Sequence, residues 1–130
     1  MTPYVLMIQA DPDDQHITET TLQTINRKIM IRYAAGLREM DEVVSVLGNP
    51  VVILLNDAGS VQPVYELLST LKANQYREIP TVVLGEVSST EYIRKCYAAG
   101  ASTFITKPST VRETQQKIDT FFSYWLEVAG

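Results

Sequence analysis

Five short apolar runs, each followed by a stretch with helical spacing, most constrain what this chain can fold into. The runs are Tyr4–Ile8, Ile29–Ala34, Val51–Leu55, Thr81–Leu84 and Thr103–Ile105. Val51-Val52-Ile53-Leu54-Leu55 and Thr81-Val82-Val83-Leu84 are continuous and rich in β-branched residues. Strands covered on both faces read this way, and such strands belong to parallel sheets. The run Ile29-Met30-Ile31-Arg32-Tyr33 alternates and carries an arginine, which fits an edge strand.

The stretches between the runs have the 3.6-residue period of amphipathic helices. Over 14–27, Ile17, Thr21, Leu22 and Ile25 share a face; Pro12 suits a first turn and Asp13 or Asp14 a cap. Over 37–47, Leu37, Met40, Val43, Val44 and Leu47 form a stripe that Gly48-Asn49-Pro50 ends. Over 61–73 the stripe is Val64, Leu67, Leu68 and Leu71. Segment 89–99 opens on Ser88-x-x-Glu91, a capping-box pattern, and stops at Gly100. Segment 110–127 opens on Thr110-x-x-Glu113 and buries Val111, Ile118, Phe121, Phe122 and Trp125.

Strand and helix therefore alternate five times. Parallel strands need crossovers, and right-handed crossovers place helices on both faces of the sheet. The fold class expected is α/β: a doubly wound five-stranded parallel sheet, a flavodoxin-like (βα)5 three-layer sandwich. A chain of 130 residues fits one domain, 1–130, and buries enough surface to need no disulfide or metal.

Composition removes several function classes. The net charge is −4 and the eleven basic residues are scattered, which argues against nucleic acid or an anionic membrane as partner. No run approaches the length of a membrane span, and the N-terminus lacks a signal peptide's basic leader. One cysteine, Cys96, suits a reducing compartment, so the expected location is cytoplasmic. Cys96 falls on the inward side of segment 89–99 beside Ile93 and Ala99, as a packing residue. His16 is the only histidine, which leaves no histidine cluster for zinc.

In a fold of this class, ligands sit beyond the carboxyl ends of the strands. The loops there read Ile8-Gln9-Ala10-Asp11-Pro12-Asp13-Asp14, Leu54-Leu55-Asn56-Asp57, Val83-Leu84-Gly85 and Phe104-Ile105-Thr106-Lys107-Pro108. With Ala99-Gly100-Ala101 before the last strand, Leu71-Lys72-Ala73 after the third helical segment and Ile79-Pro80 before the fourth strand, the chain resembles the receiver domain of stand-alone response regulators. The resemblance runs from Tyr4 to about Trp125 and implies a signalling module of two-component (phosphorelay) systems rather than an enzyme.

The departures from that family matter more than the matches. The phosphoacceptor aspartate falls on Asn56. The acidic pair that holds a divalent cation falls on Gln9 and Ala10. The hydroxyl-bearing switch position falls on Gly85. Lys107, Pro108 and Phe104 are retained. An aspartate carboxylate is the nucleophile that forms an acyl phosphate, and an amide cannot replace it. Mg²⁺ prefers carboxylate oxygens, and Gln9, Ala10 and Asn56 supply none. Gly85 has no hydroxyl for a phosphoryl oxygen. The expectation is a pseudo-receiver that works through protein contacts without phosphorylation or cofactor. Its pocket would be held by Lys107 donating to the side-chain oxygen of Asn56 or Gln9.

Two other readings stand beside it. In one, Asp57 is a displaced phosphoacceptor and Asp11 and Asp13 help bind Mg²⁺; against it, a one-residue shift along a strand reverses side-chain direction. In the other, the domain binds a small ligand on the flavodoxin-like frame, but its first loop is acidic and has no glycine to cradle phosphate. No nucleophile elbow or catalytic triad is visible. The expected partner is a sensor histidine kinase, another signalling protein or a second copy. The expected contact face is the one built by segment 89–99, the Thr103–Ile105 run and segment 110–127, with Tyr92 and Tyr124 turned outward. No output domain is expected after residue 125.

Overall fold

The computed structural model describes residues 3–8, 16, 30–56, 63–85 and 89–106, with Ile105 and Thr106 described by their backbone. The helical segments expected over 14–27 and 110–127 lie almost wholly outside these residues. The five expected strands are present as β1 (Tyr4–Ile8), β2 (Met30–Ala34), β3 (Val52–Asn56), β4 (Thr81–Gly85) and β5 (Thr103–Thr106). All pair in parallel, in the order β2-β1-β3-β4-β5. The Arg32-bearing strand is at the edge, as its alternation predicts. The order reverses at β1, so the topological switch point lies between the carboxyl ends of β1 and β3.

Side-chain alternation divides the strand residues into two buried sets. Tyr4, Leu6, Ile8, Ile53, Leu55 and Val83 join one core with Met40, Val64, Leu67, Leu68, Leu71 and Cys96. Val5, Met7, Val52, Leu54, Val82 and Leu84 point to the opposite face and are equally buried. Burial on both faces is why β1, β3 and β4 are almost continuously apolar, whereas the edge strand β2 alternates.

Three described helices cover the first face. Helix α1 (Leu37–Leu47) buries Met40 completely, while the rest of its predicted stripe is half-buried. Glu39 accepts the Ala35 amide at 2.7 Å at its start. At its end Gly48 takes φ 81°, a left-handed conformation glycine adopts without strain, and donates to Val44 O at 2.8 Å. Helix α2 (Val64–Lys72) buries the four predicted residues Val64, Leu67, Leu68 and Leu71. It is shorter than the 61–73 expected.

Helix α3 (Thr90–Ala98) corrects one expectation. Its cap is Ser89, whose Oγ accepts the Tyr92 amide at 3.2 Å, one residue later than the Ser88-x-x-Glu91 pattern implied. The third helical position is then Tyr92, so no glutamate completes a capping box. Its exit has a Schellman arrangement. Gly100, at φ 116°, donates to Tyr97 O at 3.1 Å, and Ala101 donates to Cys96 O at 3.0 Å. Cys96 and Ala101 both belong to the core, so the turn is fastened by packing as well as by hydrogen bonds.

Candidate functional site

Asn56 and Gly85 end the neighbouring strands β3 and β4 with opposite side-chain directions, and Phe104 of β5 lies beside Gly85 on the Val83 face. Asn56 is the last residue of β3, in register with Leu84, and is fully buried. It lies inside the strand, although the apolar run ends at Leu55. Asn56 and Thr81 are the buried polar residues among those described. A buried carboxylate here would bear a desolvation cost unless a cation or strong donors met it; a neutral amide bears much less.

Gly85 ends β4 on the same face as Val83, and Val83 is in register with Phe104. The Phe104 ring leans along the sheet and fills the volume a side chain at 85 would take. A Cβ built on Gly85 would stand 2.5 Å from the para carbon of that ring. The position implied to carry a hydroxyl is thus occupied by an aromatic ring from the neighbouring strand.

The ring does not stand alone. Tyr92 meets Phe104 edge-on at 6.4 Å between centroids, and Tyr65 meets Tyr92 the same way at 5.7 Å. Such T-shaped pairs set a positive ring edge against a negative face. The Lys95 ammonium sits 5.4 Å from the Tyr65 centroid, within cation–π range. The Tyr92 hydroxyl accepts the Val64 amide, the first of α2, at 3.1 Å. Pro63 offers α2 no side-chain cap, so a tyrosine from α3 performs that task.

This overturns the outward placement of Tyr92, which is half-buried against the core. The spacing already held the signal: Tyr92 precedes the inward-facing Cys96 by one helical turn. Among the described residues of this face, the exposed aromatic is Tyr97, at 47% exposure, whose hydroxyl accepts the Phe104 amide at 3.1 Å. Tyr65, Lys95 and Tyr97 were not singled out from sequence, because their significance depends on which rings meet across elements.

Gln9, Ala10, Asp11, Asp13, Asp57, Lys107, Pro108 and Tyr124 lie outside the described residues. Among the described residues, no three His, Cys, Asp or Glu side chains group to hold a metal ion. The resolved pKa shifts belong to the other end of the sheet. Burial pushes the Tyr4 and Tyr76 phenols up, and the Asp41 carboxylate raises Tyr76 further. Burial pushes Lys72 down against the opposing pull of Glu78; its Nζ donates to Ile79 O at 2.7 Å.

Known structures share this architecture over nearly the whole chain. The phosphorylated cyanobacterial phytochrome response regulator RcpA superposes with a TM-score of 0.86 at 18% identity, covering 100% of this chain and 98% of its own. A response regulator from Hahella chejuensis gives 0.85 at 23% identity, covering 99% and 98%. The Mn²⁺-bound form of response regulator Rcp1 gives 0.81 at 19% identity, covering 96% and 95%. The chain has the receiver-domain fold. No protein-family model matches the sequence, and no curated protein matches it. No helix among the described residues is long and apolar enough to cross a membrane.

Proposed function

We propose that this chain is a single receiver-like domain, 1–130, of a two-component signalling system. It acts in the cytoplasm by protein contact, without phosphorylation and without a catalytic role of its own. The observation that carries this reading is the buried neutral amide of Asn56 where a receiver presents its acceptor carboxylate. Around it, Gln9 and Ala10 supply no carboxylate for a cation and Gly85 no hydroxyl. Lys107 remains the pocket's cation, with Asn56 or Gln9 as its acceptor. Transfer of a phosphoryl group needs positioned counter-charge as well as a nucleophile, and this set provides neither in full.

The partner is a sensor histidine kinase, another signalling protein or a second copy, and not nucleic acid. The α3–β5 face suits that contact: Tyr97 supplies a rigid, exposed, amphipathic ring of a kind interfaces favour. Titration with Mg²⁺, followed at the amides of Asn56 and Gly85 by NMR, tests the pocket. No saturable shift is expected. A saturable shift would instead favour a working metal site, with Asp11 and Asp13 as ligands and Asp57 as acceptor.

A further inference from the structure

We infer that the main-chain carbonyls of Arg77 and Ile79 form a binding site for a primary alkylammonium group, and that this chain fills the site with its own Lys72. The site lies before the amino end of β4, at the opposite end of the sheet from Asn56. It stands on geometry and does not rest on the signalling reading.

The Lys72 Nζ donates to Ile79 O at 2.7 Å and to Arg77 O at 3.3 Å. Carbonyl oxygens only accept, so the group that suits a converging pair carries several N–H donors and a positive charge. The stem is guided as well as the head. A Cβ built on Gly100 would stand 2.5, 3.2 and 3.3 Å from Cγ, Cδ and Cε of Lys72. The alkyl chain therefore runs lengthwise across the bare backbone at the exit of α3, through space that a side chain at 100 would close. A lysine in the last turn of a helix can simply answer that helix's own free carbonyls. Here the Ser69, Thr70 and Leu71 carbonyls accept the Ala73 and Asn74 amides, and Lys72 reaches past them into the next turn.

The same turn sets the entry to β4. Ile79 O also accepts the hydroxyl of buried Thr81, the first residue of β4, at 3.2 Å. Pro80 O accepts the Ile53 amide of β3 at 2.9 Å, and the Ile79 amide closes the turn on Tyr76 O at 3.1 Å. The ammonium thus ties the end of α2 and the exit of α3 to the start of a central strand.

Chemical rescue tests the site. Lys72→Ala removes Cγ, Cδ, Cε and Nζ, which are the heavy atoms of n-propylammonium. Hydrogen exchange of the Ile79 amide in the full chain should quicken by about tenfold in Lys72→Ala, the lower end of what a hydrogen bond from a charged donor gives. Added n-propylammonium should reverse most of that change. Tetramethylammonium at equal ionic strength should not, because it is a cation without N–H donors. Lys72→Met keeps an apolar stem over Gly100 and has no ammonium; it should quicken Ile79 exchange and resist rescue. Should Lys72→Ala fail to fold, n-propylammonium alone of the two cations should recover its folding. An unchanged Ile79 amide in folded Lys72→Ala or in Lys72→Met would overturn the site. So would recovery by both cations, recovery by neither, or rescue of Lys72→Met.

Discussion

Tyr76 is almost fully buried, and its hydroxyl donates to the Asp41 carboxylate, tying the α2–β4 connection to α1. Tyr76→Phe should cost about 1–3 kcal/mol at neutral pH, as expected when a hydrogen bond to a charged acceptor is lost. Its titration gives a second prediction. The folded phenol holds its proton above the ordinary value of 10.0, while the unfolded one releases it there. The folded state then binds more protons, so this contribution is complete below that value and is lost as pH rises through the folded pKa. Tyr4 contributes with the same sign. Lys72 has the opposite sign: its lowered folded pKa makes stability rise with pH in a window ending at 10.5. Urea midpoints of the wild type and Tyr76→Phe, followed from about pH 8 to about pH 11, should show a smaller alkaline loss in the variant. An identical alkaline loss would mean Tyr76 does not carry it. At this scale the sequence is a poor guide. That Asn56 falls where the resembled family carries a carboxylate is an expectation legible from its place in a motif, whereas Gly85 accommodating Phe104 is a relation across two strands that linear spacing does not encode.

Helices α2 and α3 show why one element is readable and another only partly so. The α2 stripe is strong because four aliphatic residues occupy one face with nothing competing, and the structure buries all four. Leu68→Ala should therefore cost about 2–5 kcal/mol in chemical denaturation, the range for a buried leucine cavity. In α3 the signal is weaker, since Cys96 is its one fully buried residue. Two adjacent serines compete for the cap, and the Ser-x-x-Glu spacing favours the wrong one. Ser89→Ala should cost about 1 kcal/mol, the usual worth of such a cap. Loss on that scale from Ser88→Ala instead would restore the pattern-based assignment. Strand ends shift by a residue or two because hydrogen-bond pairing, not apolarity, sets them: Asn56, Gly85 and Thr106 each extend a strand past its apolar run.

For the whole molecule, two-sided apolar strands alternating with amphipathic helices were enough to specify a parallel sheet, and a sheet of this kind directs the search for a site to the carboxyl ends of its strands. The Arg32-bearing strand correctly marked an edge. The covering of both sheet faces follows from the same pattern, because strands lacking a polar face leave no side for water. Activity is a separate matter from this architecture. On the proposed reading, Asn56→Asp restores a carboxylate at the acceptor position, yet Gln9, Ala10 and Gly85 would still withhold the cation ligands and the hydroxyl. That variant should remain unlabelled by acetyl phosphate, and strong labelling would mean that the acceptor alone had been missing. The most direct measurement is intact-mass analysis of the unaltered chain after incubation with acetyl phosphate and Mg²⁺, beside Asp57→Asn and a labelled control receiver. The account predicts no phosphoryl adduct on either form while the control is labelled. An adduct on the unaltered chain that Asp57→Asn abolishes would contradict it and make Asp57 the acceptor.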